Sequence, residues 1–186
     1  MTPVKLETDV LVLGGGSAGL CAAMSAREAG ARVTLAYKAG GNATAVAAGG
    51  YAVVLPDAAD DSMDRLMADA LRSGTELVDQ TLLRRLAERA YPAIERVTEW
   101  GVEFYRNEDG SYRRFRSGGH SVPRSLRCAS GRGSDSYGVL FRRAGDEGVT
   151  MLKNALITQL LLKDGRVRGA AGMDGEGKPL MIAAKT

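Results

Sequence analysis

Asp9-Val10-Leu11-Val12-Leu13-Gly14-Gly15-Gly16-Ser17-Ala18-Gly19-Leu20 is an apolar run that breaks into glycines and resumes as alanine-rich helix sequence. Gly14, Gly16 and Gly19 stand at the G-x-G-x-x-G spacing of a dinucleotide-binding turn. In such a turn the first glycine makes the bend off the strand. The second lets backbone approach a pyrophosphate, and the third lets helix and strand pack closely. The helix that starts at Ser17 would point free N–H groups and its positive dipole end at the anion. The strand before the glycines and the helix after them favour a nucleotide site over a βα turn that binds nothing.

Outward from this turn, residues 17–29 read as a helix stopped at Gly30, and residues 31–37 as a second buried strand. Strand, turn, helix and strand make a βαβ unit with a right-handed crossover. A dinucleotide site often carries an acid for the ribose at the end of the second strand. Here Ala36, Tyr37 and Lys38 stand there, which argues against a plain NAD-dependent dehydrogenase and leaves FAD open. The next stretch, residues 39–50, is built almost wholly of small residues. It reads either as a bed on which something flat lies against backbone, or as a flexible linker.

Residues 57–73 read as a helix whose first turn is crowded by Asp57, Asp60, Asp61 and Asp64. Acids favour that end of the dipole, so the reading is a solvated N-terminus and not a metal site. Asp79 caps a further helix reaching Trp100, with Leu82, Leu83, Leu86, Ala90, Ile94 and Val97 as its core stripe and Pro92 as a kink or restart. Residues 101–116 read as a β-hairpin around Asn107-Glu-Asp-Gly110. In and after it Arg113, Arg114, Arg116, Arg124, Arg127 and Arg132 lie close together with no acid among them. That basic stretch is a solvated face, an anion site for a carboxylate or phosphate, or a nucleic-acid contact. The last is disfavoured because stacking aromatics are not interleaved. His120, the only histidine, lies inside it and is either structural or a site residue. Residues 134–147 read as a helix, and residues 149–152, 156–163, 166–173 and 180–184 as short strands, with Asp164-Gly165 and Asp174-Gly-Glu-Gly177 as turns.

The 186 residues suit one domain with a sizeable core, since 45% are hydrophobic. A net charge of +3 is too mild to imply nucleic acid. Cys21 and Cys128 stand far apart and in no metal spacing, which fits a reducing compartment. Residues 1–8 are polar, no secretory leader is visible, and no run reaches transmembrane length. The expectation is a cytoplasmic protein without a transmembrane segment, metal or nucleic-acid partner.

Taken in order, three segments resemble the N-terminal FAD-binding part of the succinate dehydrogenase/fumarate reductase flavoprotein family, which includes the L-aspartate oxidases. They are Gly14-Gly-Gly-Ser-Ala-Gly19, Thr44-Ala-Val-Ala-Ala-Gly49-Gly50 and Gly118-Gly-His-Ser121. The tail Ala155-Leu-Ile-Thr-Gln-Leu160 with Asp164-Gly-Arg-Val-Arg-Gly169 is similar to the family's β-meander. The resemblance implies an α/β, Rossmann-like FAD-binding domain with a βαβ start, a helical insertion and a β-meander, incomplete and without a capping domain. On that reading residues 1–186 are one partial domain. Residues 1–56 form the βαβ unit and flavin loop, 57–101 a helical pair, 102–133 the hairpin and arginine-rich loop, and 134–186 the last helix and meander.

The same resemblance implies roles. Gly14, Gly16, Ser17, Ala18 and Gly19 would hold the FAD pyrophosphate. Lys38 would lie near the adenosine ribose, and Thr44 near the pyrophosphate or ribityl chain. Ala48, Gly49 and Gly50 would face the flavin ring, Ala155 would meet adenine through its backbone, and residues 118–121 would lie toward the substrate. Two departures matter. Ala43 stands where the family's covalent flavoproteins carry a flavin-linking histidine, so FAD would be non-covalent. Ser117 replaces the acid that precedes Gly-Gly-His in aspartate oxidases, which puts aspartate in doubt as substrate. The implied function is hydride transfer between flavin N5 and a small dicarboxylate-like acid, with an electron-transfer partner. The main catalytic residues would lie beyond Thr186, so that this chain alone would not turn over. A non-catalytic nucleotide-binding module and an NAD-dependent dehydrogenase are the alternatives.

Overall fold

Val4-Lys-Leu-Glu-Thr8 alternates apolar and polar residues, the period of a strand with one buried face. In the computed structural model, which describes residues 3–38, 42–47 and 50–186, this stretch forms β1 (Val4–Thr8). The sequence reading expected only a polar lead-in there. β2 (Val10–Leu13), α1 (Ser17–Glu28) and β3 (Val33–Tyr37) follow as the expected βαβ unit. After α2 (Ala43–Val46) and β4 (Tyr51–Ala52) come α3 (Met63–Ser73) and α4 (Gln80–Glu99). β5 (Arg114–Phe115) and β6 (Ser125–Leu126) lead to α5 (Gly133–Asp146), and β7 (Thr150–Lys153), β8 (Leu156–Lys163), β9 (Arg166–Met173) and β10 (Pro179–Ala184) complete the order.

The chain divides into two units, Met1–Ala45 with Leu140–Thr186, and Val46–Val139. The first holds two sheets. β2, β3 and β7 form a parallel sheet in the order β2-β3-β7, and the second sheet runs β1-β10-β9-β8. β8, β9 and β10 are antiparallel neighbours, as a meander requires, while β1 joins β10 in parallel, Val4 opposite Leu180 through Thr8 opposite Ala184. The two sheets meet through Ala36, Ala155, Leu180 and Ile182, with Leu6, Leu11, Leu152 and Ile157 around them. Ala36 is therefore on the meander side of β3, and Val33 and Leu35, one residue out of phase, face the other side. There α1 packs on β2 and β3 and buries Leu20, Ala23 and Met24. The outer edge of β2 also carries a parallel rung, with the Leu11 N–H donating to Thr186 O at 2.8 Å and the Thr186 N–H to Asp9 O at 3.2 Å.

The second unit is built on a core of Val53, Leu55, Ile94, Val102, Phe104, Leu126 and Cys128. Its sheet has the order β4-β6-β5, all antiparallel. The hairpin expected over residues 101–116 survives as the single bridge Arg106–Tyr112, because Phe104 instead bridges Cys128 and β5 pairs with β6. α3 starts six residues later than expected. Ser62 caps it by accepting the Arg65 N–H at 3.2 Å, which leaves residues 57–61 outside the helix. Asp79 caps α4 through the Thr81 and Leu82 N–H groups, and the helix runs unbroken across Pro92. Of the expected stripe on α4, Ile94 is buried, but Leu82 and Leu86 are exposed.

Candidate functional site

In the first unit β2 delivers its last rung to β3 through the Gly14 N–H, which donates to Ala36 O at 2.9 Å. Gly14 then turns the chain at φ +113°, a conformation side chains rarely adopt. Gly16 is extended, and a Cβ placed on it would meet nothing within 4 Å. On Gly19 the same atom would sit 1.9 Å from Gly14 O. The two glycines therefore differ: Gly19 is glycine because the helix touches the turn, whereas Gly16 borders open space. α1 has no side-chain cap, and its first intrahelical bond runs from the Leu20 N–H to Gly16 O at 2.9 Å. The Ser17 N–H reaches Thr44 Oγ1 at 3.4 Å, and those of Ala18 and Gly19 have no partner among the described residues. Unpaired N–H groups beside the open face of Gly16 form a cradle for an anion.

An open cleft of about 310 Å³ lies at the C-terminal ends of β3 and β7, lined by Lys38, Asn154, Ala155, Leu156, Asp174 and Gly175. The Ala155 N–H donates to Tyr37 O at 3.1 Å, so it is engaged inside the fold. Asn154 holds a left-handed backbone at φ 62°, and a Cβ on Gly175 would come 2.8 Å from Asn154 Cβ. The sequence marked Asp174-Gly175 as a turn and gave Asn154 no role; the cleft makes all three its wall.

The second unit holds a buried charge cluster. Arg124 is fully buried and grips Asp61 with two nitrogens, Nε at 3.0 Å and NH2 at 2.7 Å. Its NH1 lies 2.9 Å from Asp69 Oδ2. That oxygen also accepts the Ser121 N–H at 2.8 Å and the Ser121 hydroxyl at 2.9 Å, while Arg72 reaches the other oxygen of Asp69. Burial pushes the Asp69 carboxyl up, but the Ser121 bonds and the Arg124 and Arg72 charges outweigh it and hold it below the usual carboxylate range. Asp60 is held low in the same sense by Arg114, at 2.8 Å. Asp60 and Asp61 are thus not a solvated helix end but partners of the arginine-rich loop, while Asp64 stays exposed in the first turn of α3 as expected, and the sequence separated what the fold pairs. Arg113 and Arg127 stand apart from these pairs. Their guanidiniums lie 5.2 and 4.8 Å from the Phe115 ring, and Arg127 Nε is buried without a hydrogen bond.

A family model described as "FAD binding domain" matches residues 9–185. The chain belongs to this FAD-binding family. It is 33% identical over 169 residues to an L-aspartate oxidase of Mycobacterium leprae, an alignment covering 88% of this chain and 31% of that one. It is 35% identical over 174 residues to a urocanate reductase of Eggerthella lenta, covering 89% and 27%. Among solved structures, E. coli quinol fumarate reductase matches with a TM-score of 0.89 at 26% identity, over 97% of this chain and 32% of that one. A flavocytochrome c3 fumarate reductase matches with a TM-score of 0.87 at 29% identity, over 99% and 33%. The chain spans about three tenths of the length of these relatives.

Within this FAD-binding domain the structure brings Gly14, Gly16, Ser17, Ala18, Gly19 and Thr44 to one corner of the first unit, and Lys38 and Ala155 to the cleft. Gly50 and His120 lie in the second unit. A Cβ on Gly50 would sit 2.3 Å from Ser125 Oγ and 2.5 Å from Leu126 O, so its backbone presses on β6. Ala48 and Gly49 lie outside the described residues. No helix among the described residues is long and apolar enough to cross a membrane, and no metal-binding cluster occurs among them.

Proposed function

We propose that this domain binds FAD non-covalently and serves an oxidoreductase acting on a small dicarboxylate-like acid. The observation that carries the reading is the cradle at α1: open space beside Gly16 next to unpaired helix N–H groups. It fits a pyrophosphate in charge and in shape. Gly14, Gly16, Ser17, Ala18, Gly19 and Thr44 would hold that group, and the cleft at Lys38 and Ala155 would take the adenosine end. Gly49, Gly50 and Ala48 would lie along the flavin ring. Ala43 offers no side chain for a covalent bond, which supports a non-covalent flavin. FAD, when bound, supplies hydride exchange at its ring.

The protein's part is to orient the acid. Arg124 and Arg114 are neutralised by Asp61, Asp69 and Asp60. Arg113 and Arg127 have no carboxylate partner among the described residues and are the better candidates for a substrate carboxylate. The same pairing removes charge from the basic loop and supports a reading without nucleic acid. A reducing, cytoplasmic setting suits a chain whose two cysteines, Cys21 and Cys128, stand far apart in sequence, and reoxidation of the flavin would need an electron-transfer partner.

The test is titration of the purified chain into FAD, following quenching of flavin fluorescence and release of flavin on denaturation. Saturable quenching with fully releasable flavin is the expected result. A chain that leaves FAD fluorescence unchanged, or binds NADH more tightly than FAD in calorimetry, overturns the reading.

A further inference from the structure

We propose that Arg124 fixes His120 as its neutral Nε2–H tautomer, making this imidazole a hydrogen-bond donor to an oxygen of the small acid. The tautomer follows from geometry in the second unit alone, and only the ligand rests on the function proposed above. His120 Nδ1 lies 3.3 Å from Arg124 NH1. A guanidinium carries donors and no acceptor, so Nδ1 meets it favourably only with its lone pair. An Nδ1–H tautomer and an imidazolium would each set N–H against N–H, the imidazolium with like charges added. Arg124 cannot turn away. It is fully buried, its Nε and NH2 are held by Asp61, and NH1 is shared with Asp69.

The backbone around the imidazole is pinned as well. The His120 N–H donates to Ser117 O at 3.3 Å, Gly119 holds φ +82° and Ser121 is tied twice to Asp69. The ring is half-buried, and Nε2 makes no hydrogen bond among the described residues. The proton therefore sits on the nitrogen that is still available to a ligand. That nitrogen can donate to a carboxylate or carbonyl oxygen and cannot accept a proton while the tautomer holds. Arg124 is a positioning residue in this scheme: it turns two buried carboxylates into the orientation of one ring N–H.

The chain has one histidine, so 15N-histidine labelling gives a single imidazole to read. At neutral pH the wild-type spectrum should show Nδ1 in the unprotonated range and Nε2 in the protonated range. An Nδ1–H tautomer, an averaged pair or an imidazolium overturns the positioning. This spectrum decides the point whether or not an Arg124→Met variant folds. If that variant folds, its tautomer preference should be lost, and an unchanged spectrum overturns the role of Arg124. Succinate added to the FAD-loaded chain should shift Nε2 and its proton. Succinate-dependent shifts elsewhere with Nε2 unmoved overturn the donor role. No response to succinate anywhere overturns the small-acid reading and, with it, the donor role, while the tautomer stands on its own spectrum.

Discussion

The Ser17 hydroxyl donates to Thr44 Oγ1 at 3.0 Å, joining the first residue of α1 to a residue that follows β3. Because Thr44 Oγ1 also accepts from the Ser17 N–H, its own proton is not used in this pair and, on the function proposed above, donates to a phosphate oxygen. Thr44→Val keeps the shape and removes that proton. The expected result is an FAD Kd raised about 5–10-fold, the worth of one hydrogen bond of about 1 kcal/mol, read by flavin fluorescence titration.

On the function proposed above, substitutions at Gly16 and Gly19 should separate binding from folding. Gly16→Ala adds a methyl group where nothing lies within 4 Å, on extended backbone that alanine adopts freely. Thermal unfolding of the FAD-free variant should match wild type, while FAD affinity falls about tenfold or more, about 1.4 kcal/mol. Gly19→Ala drives a methyl group into Gly14 O. It should lower stability by about 1–3 kcal/mol even without FAD. A Gly16→Ala chain that unfolds early would show that this glycine serves the fold.

The two arginine pairs of the second unit differ in burial and should differ in stability. Arg124→Met strips the partner from two buried carboxylates and should cost about 3–5 kcal/mol in denaturant unfolding. Arg114→Ala breaks a pair whose Asp60 is half exposed, and should cost about 1 kcal/mol or less. Equal costs would refute the stronger hold of the buried Arg124 pairs.

Acid should act through Asp69. Its folded carboxyl titrates below the ordinary value of about 4. A depressed group contributes stability that is complete above the unfolded pKa and fades as pH falls through the folded one. Asp69→Asn should thus be less stable than wild type at neutral pH, and the gap should close as pH drops below about 4. A gap that stays constant into acid would mean that the charge of Asp69 is not what stabilises its site.

The βαβ start and the meander were legible because their signals are local. Glycine spacing at 14, 16 and 19, the short strand-like runs over residues 156–163 and 166–173, and the turn at Asp164-Gly165 each lie within a few residues. β1 was not legible, since five residues of weak alternation become a strand only when β10 pairs with them. The charge cluster was hidden for the same reason. Nothing in the order of the chain says that Asp61 faces Arg124, and the helical period of residues 57–73 made the acids look like a first turn until Ser62 capped the helix behind them. The exposed Leu82 and Leu86 show the limit of a correct period, which predicts a face but not what covers it.

β1 lies parallel to β10, and β3 lies between β2 and β7. Both sheets of the first unit are therefore completed only by residues after 149. During synthesis the glycine turn at residues 14–19 emerges before β7 and the meander strands that complete the sheets of its unit. The second unit, continuous in sequence from Val46 to Val139, can fold first, in the interval between the two halves of the first. On the function proposed above, flavin can load only after β7 and the meander strands have been made, however early the glycine turn itself is made.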